Sequence, residues 1–204
     1  MKILKYLLFA ILAIVVLFFG IGILKPTIKY GHEITVDKPI KEAWAIAKDE
    51  SKYDQWLKGY KGMELIEGEQ DEPGSKYKVT VEPGDGQPEF EMIQTIVEIK
   101  DYEKAHLHYD NDFMVVDQIM NYSMSDGQTI ISSQATVIPK GIVFKSMFGM
   151  MEILFGSFTA QEKENMEKLK ILIEENTDVY FSAPTQMDKE STNEEEYTTV
   201  RNRF

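Results

Sequence analysis

The chain of 204 residues contains no cysteine. That absence excludes a disulfide, a thiolate nucleophile and any cysteine-ligated zinc, so a domain here must stand on its core alone. It selects no redox compartment, because a cysteine-free chain suits either side of a membrane. Base is also short: 22 Lys and Arg stand against 34 Asp and Glu, a formal net charge of -12. Phosphate backbones and anionic headgroups reward clustered cations, so nucleic acid is not an expected partner. No nucleophile motif, phosphate loop or dinucleotide fingerprint is present. No cofactor is implied, and there are no internal repeats.

What is present begins with a long apolar run. Tyr6 to Leu24 carries no charge over about 19 residues, against the roughly 20 that a helix needs to span hydrocarbon. A cleaved signal has a shorter apolar core and small residues at its cleavage site, which Gly20 and Gly22 imitate poorly. An uncleaved single-pass anchor is the reading. Lys2 and Lys5 precede the run and Lys25 and Lys29 follow it, so the positive-inside rule selects no orientation.

Pro26 ends that helix, and 33–36 alternates as a short strand. Asp37 is the expected cap of a helix with Pro39 just inside it and an apolar face of Ala43, Trp44, Ile46 and Ala47. A second short helix holds Tyr53, Trp56 and Leu57. Strands then alternate with turn chemistry, as an antiparallel meander does: 63–67, 76–81, 89–99 with a bulge near Ile93, 104–110, 115–124 and 129–138. Asp126-Gly127 is a hairpin signal between the last two. From Ile142 to Glu175 the pattern predicts one long helix, straight or bent, buried at its start through Phe144, Phe148, Met151, Phe155 and Phe158. In its second half Met166, Leu169, Leu172 and Ile173 keep the seam, while 161–165 faces water. The organisation predicted is an anchor and linker at 1–29, a domain at 30–176, and a disordered acidic tail at 177–204. The fold class predicted is α+β, a curved antiparallel sheet of about seven strands closing over the last helix and leaving an apolar pocket.

The order strand, two helices, six strands, long helix resembles the START-like superfamily, also called SRPBCC, which includes the polyketide cyclase/dehydrase family. Local residues are similar as well: 34–44 resembles its opening strand and first helix, and Asp49 to Trp56 its second helix. Glu67-Gly68 with 72–77 looks like its turn into the third strand, and Leu169, Lys170, Leu172 and Glu174 like its terminal helix. The resemblance implies a helix-grip fold whose cavity takes a hydrophobic small molecule or lipid. The residues expected at that ligand are Phe90, Met92, Leu107, Tyr109, Met120, Tyr122 and Met124 from strands, and Met151, Phe155 and Phe158 from the helix. Alternatives are a cyclase- or hydrolase-type enzyme using the same cavity and a protein-interaction module with no ligand.

Each chemical group has a plainer reading beside it. The methionines suit an adaptable pocket, but they also fill cores. His106 and His108 share one strand face with Asp110, yet Leu107 and Tyr109 take the face expected to look inward, and no further ligand completes a zinc sphere. His32 reads as a linker residue. Acidic pairs such as Glu89 with Glu91, or Asp110 with Asp112, read as solvated, and no catalytic residue or metal site is assigned. Enzymatic chemistry would need Glu98, Gln94, Tyr109 or Tyr122 to converge inside the pocket.

Overall fold

The computed structural model describes residues 2–84 and 86–181. The apolar run forms helix α1 (Lys2–Leu24), and Pro26, which has no amide to donate, lies just past its end. Almost every side chain of α1 is exposed, so it is no part of the core; it is long and apolar enough to cross a membrane. Strand β1 (Ile28–Val36) follows, then α2 (Ile40–Lys48), a 3₁₀ turn (Glu50–Lys52) and the short α3 (Tyr53–Trp56). Six strands come next: β2 (Tyr60–Glu67), β3 (Lys76–Val81), β4 (Phe90–Lys100), β5 (Lys104–Asp110), β6 (Met114–Ser125) and β7 (Gln128–Pro139).

All neighbours in the sheet are antiparallel, in the order β1-β7-β6-β5-β4-β3-β2. The seven-stranded α+β architecture expected from the sequence is the one observed. Asp126 and Gly127 both adopt positive φ, 51° and 83°, which is the backbone that a two-residue hairpin between β6 and β7 requires. The bulge in β4 falls at Val97, where the register shifts between Ile96 and Glu98, rather than near Ile93. It turns Val97 outward and restores Ile99 to the inner face beside Ala105. Asp37 does not cap α2: Pro39 holds that position, and the Asp37 carboxylate accepts from Gln128 Nε2 at 2.9 Å.

The expected single long helix is two. Gly156 adopts the left-handed conformation (φ 58°), donates to Glu152 O at 2.9 Å, and separates α4 (Gly141–Phe155) from α5 (Ser157–Glu175) with a bend of 64°. A glycine costs little there because it has no Cβ to clash. Glu152 then reaches across the break, its Oε2 accepting from Phe158 N at 2.8 Å and its Oε1 from the Thr159 hydroxyl. That places a carboxylate where α5 has free amides and a positive dipole end.

Helix α5 crosses the inner side of the sheet beside β1, α2 and α3. Its buried residues are Glu162, Asn165, Met166, Leu169 and Ile173, one face of a helix. Met166, Leu169 and Ile173 join Ile34, Val36, Trp44, Ile46, Trp56, Met120, Tyr122 and Ile131 in the main core. Burying each large apolar side chain contributes about 1.5–3 kcal/mol. Of the tail predicted from residue 177, the described part is 177–181, where Tyr180 packs on this core and its hydroxyl donates to Asp49 Oδ2 at 2.6 Å. Lys52 Nζ holds Asp178 at 2.7 Å. The remainder of that tail, 182–204, lies outside the described residues.

Candidate functional site

Strand register decides which side chains meet under α5. Directly opposed residues share a face, so one inward row runs Tyr77, Gln94, Tyr109, Val116, Val137, Ile28 from β3 across to β1. The next holds Ile96, Leu107, Gln118, Ala135 and Tyr30. The third brings Ala105, Met120, Ser133 and His32 together.

The rows are not equally covered. On β7 the inward residues Thr129, Ile131, Ser133, Ala135 and Val137 are all buried, whereas β5 has no buried residue on either face. Leu107 and Tyr109 point inward and stay only half-buried, as do Tyr30 on β1, Met92 on β4, Gln118 on β6 and Phe158 on α5. Burial raises the Tyr109 phenol pKa, with Tyr53, Tyr30 and Glu162 adding to it, and yet the residue keeps accessible surface. Such a side chain is enclosed by protein on most sides while part of it still meets solvent.

A series of aromatic rings borders this part of the inner face. Phe90 meets Phe113, Phe113 meets Phe144, Phe144 meets Phe148, and Phe148 meets Phe158, with centroids 5.3–5.9 Å apart. Phe158 in turn stacks on Tyr30 at 5.8 Å. The series therefore joins β4, α4 and α5 to β1.

Polar groups converge at the middle of α5. Glu162, which the local sequence pattern turns to water with the rest of 161–165, is 7% exposed. Removal from water pushes its carboxyl up, the Ser133 hydroxyl and His32 partly opposing that. Gln118 Nε2 donates to Ser133 Oγ at 3.2 Å, and Gln94 is buried opposite Tyr109. Asn165, one turn on from Glu162, is buried too and accepts from Lys58 N at 3.2 Å. His32 is no linker residue: it lies on β1 with Nε2 3.1 Å from Glu167 of α5. Phase gives the signal for Glu162, since it falls midway between Phe158 and Met166 at steps of four.

The residues expected at a ligand divide into three groups. Leu107, Tyr109, Met92 and Phe158 lie on the half-covered inner face, with Phe90 in its aromatic border. Met120 and Tyr122 belong to the main core, Tyr122 with its ring 4.8 Å from that of Trp44. Met124, Met151 and Phe155 are exposed at 56%, 37% and 75% and do not meet the others. Met124 pairs with Thr129 next to the end of the β6–β7 hairpin, and the other two lie before the break at Gly156. Glu98 is on the outer face, bound to Lys104 at 2.6 Å. His106 and His108 share that face and both approach Asp117, at 3.7 and 2.9 Å. A separate open recess of about 600 Å³ lies at the foot of α1, between Pro26, Ile28, Gly149 and Ile153, with Lys25 and Lys29 on its wall. None of Met92, Leu107, Tyr109, Phe158 or Glu162 lines it.

No family model and no curated protein matches the sequence. Solved structures do match. TTHA0849 from Thermus thermophilus superposes with a TM-score of 0.57 at 13% identity, over 72% of this chain and 97% of that one. A conserved protein from Geobacillus kaustophilus gives 0.56 at 19%, over 72% and 95%. The di-domain ARO/CYC BexL from the BE-7585A biosynthetic pathway gives 0.53 at 13%, over 74% of this chain and 51% of its own. This chain has the START-like helix-grip fold. At such identities the likeness extends to the grip of sheet and helix and carries no residue's role. The grip here differs from the apolar pocket expected from the sequence in one chemical respect, since a buried acid, three amides, a serine and phenols stand among the apolar side chains where sheet and α5 face each other.

Proposed function

We propose that the helix grip binds an amphiphilic small molecule or lipid between β4–β6 and α5, while α1 tethers it to a membrane. The observation that carries this reading is the half-covered inner face around Tyr109 and Leu107, which runs up to the buried carboxyl of Glu162. An apolar body fits along Met92, Leu107 and Phe158, and a hydroxyl, amide or carbonyl head fits against Glu162, Gln118 and Ser133. A protonated carboxyl can donate to such a head as well as accept from it. Tethering raises the local concentration of membrane-dissolved ligand and so offsets a weak intrinsic affinity. The division into an anchor at 1–29, a binding domain at 30–176 and a tail belongs to this reading.

The test is native mass spectrometry with lipid extraction on the detergent-purified full chain and its Leu107→Trp variant. An indole at position 107 fills the space, so the wild type retains an amphiphile that the variant has lost. Failure of the folded wild type to retain any added or native amphiphile sinks the proposal. The meeting of Gln94, Tyr109 and Glu162 also favours a second reading, in which Glu162 acts as a general acid on the bound molecule. Conversion of the retained compound by wild type but not by Glu162→Gln would separate catalysis from binding.

A further inference from the structure

Helix α4 has three sides in different surroundings. One meets α1 through small residues: a Cβ added at Gly22 would fall 2.4 Å from Ser146 Oγ, and one at Gly149 would fall 2.9 Å from Ile21 Cγ2. The missing Cβ atoms of these two glycines let the helices approach closely there, as small residues commonly do between helices in lipid. A second side, Phe144 and Phe148, faces the domain and forms part of the aromatic border. The third side is Val143, Met147, Met150 and Leu154, spaced i, i+4, i+7 and i+11 along one helical stripe. Val143 and Leu154 are 55% and 61% exposed, and Phe155 beyond them 75%.

Charge is nearly absent from this helix. Lys145 and Glu152 are its only ionisable residues, and Glu152 is committed to the start of α5. A lysine stem can carry its ammonium to the headgroups while its methylenes stay in an apolar layer. The exposed apolar surface of α4 is moreover continuous with that of α1, against which it packs.

We infer that α4 lies in the bilayer beside the foot of α1, its outer stripe in hydrocarbon, as a second membrane element that does not cross. The inference rests on the reading of α1 as a membrane tether. Its 15 residues reach only about 22 Å at about 1.5 Å each, short of the roughly 30 Å of a hydrocarbon core. Lys25 and Lys29, just past the end of α1, stand at headgroup level in this arrangement. Its consequence concerns entry. Phe144 and Phe148 turn from the lipid-facing stripe toward Phe113 and Phe158, so the aromatic border of the inner face opens at the membrane and an amphiphile enters without crossing water.

The cysteine-free chain permits a single nitroxide at Leu154→Cys, with Leu12→Cys on α1 and Gln134→Cys, an exposed position of β7, as references. Each full-length variant is reconstituted in phosphatidylcholine vesicles, and collision with oxygen, which partitions into hydrocarbon, is compared with collision with a water-soluble nickel chelate. The oxygen-to-nickel ratio at position 154 is expected several-fold above that at 134 and close to that at 12. A ratio at 154 equal to that at 134, with 12 high, overturns the inference and leaves the tether standing. Low ratios at 12 and 154 alike overturn both.

Discussion

Replacing Glu162 by glutamine removes one ionisation from the interface between α5 and the sheet and leaves shape and polarity nearly unchanged. The native carboxyl is 7% exposed and its pKa is raised, chiefly by loss of water, while Ser133 and His32 draw it partly back. In the unfolded chain it titrates near the ordinary glutamate value of about 4.3. Between that value and its raised folded value the native state holds more protons than the unfolded state, so stability falls as pH rises. The slope from this one group approaches at most about 1.4 kcal/mol per pH unit inside the window and is zero on either side. The stabilisation is fully present below the unfolded value and is lost as pH climbs through the folded one. Glu162→Gln has no such loss, so it is expected to gain on the wild type as pH rises through the window. Trp44 and Trp56 both sit in the main core, and their fluorescence reports urea unfolding of the full chain in detergent. The difference between the two proteins matters, because it cancels every other titrating group. A difference that stays flat from about pH 4 to about pH 8 would show that the carboxyl keeps its water, and the reasoning about a buried acid would fail.

Three further outcomes follow from the packing. Leu169→Ala, at a position with 0% exposure, is expected to cost about 2–5 kcal/mol in the same unfolding assay. Gly22→Ala puts a methyl 2.4 Å from Ser146 Oγ and 2.8 Å from its amide nitrogen; α4 must shift away, and amide hydrogen exchange across 141–155 is expected to quicken while α5 is unaffected. Tyr180→Phe deletes a 2.6 Å hydrogen bond to Asp49 and is expected to cost about 0.5–1.5 kcal/mol. The Asp49 carboxyl is held below its usual range by Ser51 first and Tyr180 second. The support it lends is present above the ordinary aspartate value and is lost as pH falls through the lowered one, so acid should free 177–181, read by proteolysis near Phe181.

Different elements were legible for different physical reasons. Strand parity was readable because the side-chain period is two: alternation alone put Leu107 and Tyr109 on the inner face and His106 and His108 on the outer. The Asp126-Gly127 hairpin was readable because few residues accept consecutive positive φ. The break at Gly156 was not, since a glycine inside an apolar helical pattern is compatible with continuing or stopping, and contacts remote in sequence choose. Glu162 was missed for a related reason. A glutamate among Gln161, Lys163 and Glu164 looks solvated until the helix is rotated onto its neighbours, and only then does its alignment with Phe158 and Met166 outweigh its polarity.

The sequence by itself determined the apolar first helix, the number of strands, their antiparallel order of connection and the faces of β5, because these depend on local periodicity and turn chemistry, whereas the bulge at Val97 and the start of β1 at Ile28 did not show in it. Tertiary structure alone decided how far the last helix covers the sheet, that its first turns leave the core for α1, and that an acid rather than a hydrocarbon sits at the centre of the grip. Those outcomes depend on which surfaces remain uncovered once distant segments have packed, and no local pattern contains that information.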